Sequence, residues 1–163
     1  MKNQLNRKIQ IGFLVQHNLF NFSRISNRIK KNEGYRRVAY KDQLGNLSIG
    51  YGHLITAKEK SFFKKKFSNK FLLKIFYVDL KKAILDFQKN YDYKNLSDCT
   101  QEVIIEMIFQ LGIKKVLQFK KFYYCVKNKK PYLASLEMIK SRWYQQTPRR
   151  VNRLIAVLLR QNV

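Results

Sequence analysis

Residues 32–56 read NEGYRRVAYKDQLGNLSIGYGHLIT, and no other stretch of the chain says as much about its fold. Val38 and Tyr40 alternate with Arg37 and Lys41, and Leu47, Ile49 and Tyr51 alternate with Ser48 and Gly50. A period of two marks a strand, because successive side chains point to opposite faces; a helix would repeat every three to four residues. Asp42-Gln43-Leu44-Gly45-Asn46, between the two runs, has the composition of a turn. The segment therefore predicts a hairpin of two short strands. Three of the chain's six glycines, Gly45, Gly50 and Gly52, fall inside it. Gly50 and Gly52 suggest a backbone that bends or lets another group come close.

On either side the periodicity changes to that of helices. Upstream, Ile25 and Ile29 lie four apart and predict a short helix over about 24–31, ended near Gly34. Downstream, everything after His53 reads helical. Thr56-Ala57-Lys58-Glu59 resembles a cap and first turn. Ser68 can cap a long helix running to about Tyr91, with Leu72, Ile75, Phe76, Asp79, Leu80 and Ala83 along one stripe. Thr100-Gln101-Glu102 opens an apolar helix that Gly112 closes. Further helices are expected near 116–127, 131–141 and 148–160, the last with Thr147 as cap and Pro148 in its first position. Residues 1–22 read as a basic extension. Residues 23–163 read as one α+β domain, a small N-terminal β-hairpin lobe (about 35–55) packed on a larger helical lobe (about 68–160).

The chain has 163 residues, 45% of them hydrophobic, which is enough for a core and too many for a disordered chain. Its 34 basic and 10 acidic residues leave a net charge of +24. Such a charge attracts polyanions: nucleic acid, anionic lipid or bacterial envelope polymers. Lysine clusters at 30–31, 64–66, 81–82, 114–115 and 129–130 spread it along the chain. Cys99 and Cys125 stand outside any CxxC motif, and with only His17 and His53 there is no zinc spacing, so no metal or organic cofactor is expected. The two cysteines read as reduced, partly buried thiols. The apolar run IGFLV near the start is too short for a signal-peptide core and is interrupted by Gln16-His17-Asn18. No run approaches the ~20 apolar residues of a spanning helix.

With so few acids, those in special places stand out. Glu33 closes the first helix and Asp42 lies in the hairpin turn, so the fold back through the strand could set them across one cleft. Two carboxylates flanking a cleft are the minimal equipment for cutting a glycosidic bond: one donates a proton to the leaving oxygen, the other stays ionised. Ser48 could place a hydroxyl in the same cleft. On composition alone, an acid at a helix end and an aspartate in a turn are more often structural.

The pattern of residues goes further. Glu33-Gly34, Asp42, Gly45 and Ser48-Ile49-Gly50-Tyr51-Gly52-His53 resemble in order and spacing the catalytic segment of the T-even phage lysozymes, glycoside hydrolase family 24. MIFQLG at 107–112 resembles the family's central buried helix. KSRWYQQTPRRVNRLI at 140–155 resembles its C-terminal signature. The three blocks span about four-fifths of the chain.

The resemblance implies a lysozyme-like fold and hydrolysis, with inversion, of the β-1,4 bond between N-acetylmuramic acid and N-acetylglucosamine in peptidoglycan. It implies Glu33 as general acid, Asp42 as the water-activating carboxylate, and Ser48 at a position where the family usually has threonine. Leu54, Phe109, Gln110 and Arg142 fall where substrate would bind, although Leu54 and Phe109 could equally be plain core. His53 would pair with Asp79, and Arg150 with Glu33. Trp143, the only tryptophan, reads as core packing in preference to a sugar platform. The stretch from His53 to Asp79 is shorter than in the T-even enzyme, so a strand or loop of the β lobe is expected to be missing.

An endolysin of this kind would act as a monomer, staying in the host cytoplasm until a separate pore-former releases it to the wall. The competing expectation is a cationic nucleic-acid- or membrane-binding protein on a lysozyme-like scaffold, which the charge favours but which gives Glu33 and Asp42 no task. No specific nucleic acid is expected as a partner.

Overall fold

An asparagine sets the start of the first helix. Asn21 accepts a hydrogen bond from the backbone N–H of Arg24 (2.8 Å) and caps α1, Phe22–Glu33. The structure, a computed structural model, describes residues 21–41 and 45–160. The helix starts two residues before the Ile25–Ile29 spacing suggested, since Asn21 supplies a cap and the Phe22 ring stacks on Tyr77 at 6.0 Å. Phe22 is therefore part of the packed body and not of the extension. Gly34, with φ +69°, ends the helix.

Strand β1 (Arg36–Lys41) runs antiparallel to β2 (Leu47–Gly50), with Tyr40 opposite Ser48 and Lys41 opposite Leu47. The hairpin gains a third strand, β3 (His53–Leu54), which pairs Leu54 with Ser48 and His53 with Ile49. Two residues are too few to show a period, which is why the alternation pattern missed it. Alternation found β1 and β2 but not their burial: Val38 is half exposed, while Ser48, Ile49 and Gly50 of β2 are all buried. The sheet meets the helices through β2. A side chain at Gly50 would touch Leu72 at 3.4 Å.

After the sheet, the Glu59 carboxylate accepts from both the N–H (3.0 Å) and the hydroxyl (2.7 Å) of Thr56, opening a 3₁₀ turn, Ala57–Lys64. Ser68 caps α2 (Asn69–Asn90) by accepting from the Phe71 N–H at 3.2 Å. Leu72, Phe76, Leu80 and Ala83 form its buried stripe; Ile75 is only partly covered. A second 3₁₀ turn, Tyr93–Asn95, leads to α3 (Asp98–Leu111), capped by Ser97. Residues 100–108 of α3 are all buried, as in a helix surrounded by others.

The single helix expected over 116–127 is instead two, α4 (Ile113–Val116) and α5 (Lys120–Lys127). Then come α6 (Pro131–Ile139), the short α7 (Arg142–Gln146) and α8 (Pro148–Leu159). Pro148 occupies the first position of α8, but Thr147 does not cap it: its hydroxyl donates to the Trp143 carbonyl at 3.2 Å. Trp143 itself is buried, edge-on to Phe119. Cys99 and Cys125 are free thiols of intermediate exposure. Among the described residues no helix is long and apolar enough to cross a membrane.

Candidate active site

Glu33 is the last residue of α1, where a helix leaves carbonyl groups without partners. Arg150, in the first turn of α8, answers two of these needs with one guanidinium. Its Nη1 donates to Glu33 Oε1 at 2.8 Å, and its Nη2 donates to the backbone carbonyl of Asn32 at 2.9 Å. From the other side comes the backbone after β2. At Gly52 (φ +78°) a β-carbon would lie 3.0 Å from Glu33 Oε2, so the glycine lets the loop close over the carboxyl. Helix end, loop and last helix thus meet at one side chain.

Two opposing effects act on that carboxyl. Burial disfavours its charged form and raises its pKa above the usual carboxylate value; the Arg150 charge and hydrogen bond pull it down, and the Glu106 charge pushes it up again. Burial is the largest and the net direction is upward. An arginine pairing would by itself favour the anion, but here Glu33 holds its proton more firmly than a free glutamate.

Behind Glu33, α1 and α3 are laced together by charge. Arg24 and Arg28 both donate to Glu102: Arg24 through Nε (2.8 Å) and Nη2, Arg28 through Nη1 (3.0 Å). Arg28 Nε donates to Glu106 at 2.6 Å, and the Asn32 amide donates to the other Glu106 oxygen at 2.7 Å. Asn32 Oδ1 in turn accepts from Arg153 of α8 at 2.7 Å. Glu102 and Glu106 are both buried. Sequence reasoning passed over this group, yet it left a trace: two acids four residues apart, on one face of a helix otherwise apolar.

His53 of β3 stands between two carboxylates. Its Nδ1 is 2.8 Å from Asp79 Oδ2 on α2, and its Nε2 is 3.3 Å from Glu59 Oε1. Each carboxylate can only accept, so both ring nitrogens are called on to donate. The Asp79 hydrogen bond is the main cause of a raised pKa, with both acids' charges adding and burial opposing.

Ser48 is buried in β2, one strand over from exposed Leu54. Phe109 and Gln110 lie at the end of α3; Phe109 is partly covered and packs on Phe76 (5.7 Å between centroids). Gln110 continues the face of Glu102 and Glu106, and its buried amide oxygen has no partner among the described residues. Arg142 is exposed at the start of α7. The structure thus joins Glu33 with Arg150 and His53 with Asp79, and pairs Ser48 with Leu54 in register. It shows no bond from Arg142 to the Glu33 group. Asp42 lies outside the described residues. Among those described, no group of three His, Cys, Asp or Glu could hold a metal ion.

A small antiparallel sheet beside a helical body, with a largely buried glutamate where they meet, is the layout of the α+β lysozymes, a class of glycoside hydrolase. Comparison with known proteins makes this particular: the phage lysozyme family model matches residues 30–162, and the chain belongs to that family. It is 34% identical to the probable T4-type lysozyme 1 of Dictyostelium discoideum, over an alignment covering 83% of this chain and 94% of that protein. With the probable T4-type lysozyme 2 of the same organism the identity is 30%, covering 83% and 93%. The chain is an enzyme of lysozyme type.

Proposed function

We propose that the protein is a muramidase that cuts the β-1,4 bond between N-acetylmuramic acid and N-acetylglucosamine in peptidoglycan, with Glu33 as the general acid and Asp42 as the carboxylate that activates water. The observation that carries this is the state of Glu33. It is held by an arginine 2.8 Å away in a buried place where helix end, loop and last helix meet, and burial shifts its pKa upward, the direction that general-acid work requires. Arg150 keeps the carboxyl in one orientation while burial favours its protonated form. Ser48, buried on the strand after the hairpin turn, would help hold the attacking water. Gln110 offers its unpartnered amide oxygen, and Leu54 an exposed apolar surface, to the saccharide. An inverting reaction needs space for water between the two carboxyls, roughly 6.5–9.5 Å.

The test is loss of turbidity of purified peptidoglycan with wild type, Glu33→Gln and Asp42→Asn. Both variants should lose activity by a factor on the order of 100 to 10,000. Clearing at the wild-type rate by either would remove that carboxyl from the mechanism. A protein acting on membranes or nucleic acid by charge alone would be indifferent to both changes.

A further inference from the structure

Two of the ten acids in this basic chain are buried on α3, and they differ in what they touch. Among the described residues Glu102 accepts only from Arg24 and Arg28, which accounts for it as a stitch between α1 and α3. Glu106, one turn nearer the active carboxyl, gives one oxygen to Arg28 and the other to Asn32, the neighbour of Glu33. A carboxylate can only accept and a guanidinium can only donate. Asn32, set between Glu106 and Arg153, therefore has a single amide orientation that satisfies both. Through the same residue run the Arg150 contact to the Asn32 carbonyl and the Arg150 contact to Glu33.

We propose that Glu106 is a positioning residue for the lysozyme reaction: by orienting Asn32 it fixes the last turn of α1 and the two arginines of α8, and so sets Glu33 for proton donation. The proposal rests on Glu33 being the general acid. Among the described residues the charged groups tied to Glu33 and Asn32 are Arg150 and Arg153 from α8, Arg28 from α1 and Glu106 from α3; the sheet side contributes the backbone at Gly52. Among the described residues Glu106 is the one anion in that set, Asp42 lying outside them; its charge opposes ionisation of Glu33 while that of Arg150 promotes it. Glu102 serves as an internal control, being just as buried and also bound to arginine, but a turn farther away.

The experiment is the pH profile of kcat/KM on wall fragments for wild type, Glu106→Gln, Glu102→Gln and the double variant Glu106→Gln with Asn32→Asp. Loss of the Glu33 proton sets the alkaline limb. Glu106→Gln should move that limb to lower pH and reduce kcat; Glu102→Gln should leave the limb in place. The double variant puts the acceptor on α1 and the donor on α3, still accepts from Arg153, and should bring the limb back towards wild type. A wild-type limb in Glu106→Gln, or an equal displacement in Glu102→Gln, overturns the proposal. Melting curves report folding. Should Glu106→Gln not fold, the double variant decides, a limb at the wild-type position being expected and one displaced to lower pH refuting it. Full activity in Glu33→Gln would instead overturn the assignment of the acid itself.

Discussion

Glu33 illustrates how a site can cost its own protein stability. Because its pKa is raised in the folded state, folding binds the proton more tightly than the unfolded chain does. Its favourable contribution is complete below the unfolded carboxyl pKa and is lost as pH rises through the folded one. Glu33→Gln, which cannot ionise, escapes that loss. Its melting temperature relative to wild type should therefore climb as pH rises across that window. A difference that stays flat with pH would mean Arg150 and burial cancel. Gly52 is the second residue to test. A Cβ there meets Glu33 Oε2 at 3.0 Å on a backbone with φ +78°, so Gly52→Ala should lower stability by about 1–2 kcal/mol and activity with it, in denaturant titration and turbidity assay. Gly52 was legible in sequence as a place of close approach; that the group approaching would be Glu33 was not, because nothing in a local pattern names a neighbour 19 positions away.

Among the elements, the α1–α3 contact depends on charge to a degree unusual for a buried helix pair. Replacing Glu102 by Ala leaves Arg28 with one partner and Arg24 with none of its two bonds, and should cost about 3 kcal/mol in chemical denaturation, the lower end of the range for breaking a buried ion pair. The junction of β3 with α2 behaves differently with pH. His53 has a raised folded pKa through Asp79, so its contribution is full below the ordinary histidine value and lost as pH rises through the folded one. Melts across neutral pH should show stability falling with pH in wild type and a much weaker slope in Asp79→Asn.

Helices with caps inside the sequence window, such as Ser68 before α2, could be placed without coordinates. Those whose boundaries depend on tertiary packing could not. Thr147 shows the limit of a cap pattern: its hydroxyl is taken by the Trp143 carbonyl one turn back instead of capping α8. Of the site, the His53–Asp79 and Glu33–Arg150 pairs were legible, Asp42 lies outside the described residues, and the Glu102–Glu106–Asn32 group was not legible. A burial pattern lets an acid hide inside an apolar helix, and only its arginine partners, more than 70 positions away, explain it.

For the molecule as a whole, +24 of charge would steer it towards a polyanionic target. Ionic strength shortens the reach of such a field, from about 8 Å under physiological salt to about 3 Å at 1 M. Clearing of intact walls should slow steeply with added salt, while cleavage of a short neutral oligosaccharide by the same enzyme should change little. Equal salt dependence for both substrates would locate the effect in the cleft and not in encounter.

The bond between Glu33 and Arg150 spans 117 positions of chain. During synthesis the acid emerges from the ribosome long before its arginine has been made. The Glu33–Arg150 pair therefore forms only when the final helix docks, so a chain truncated before Pro148 should lack it.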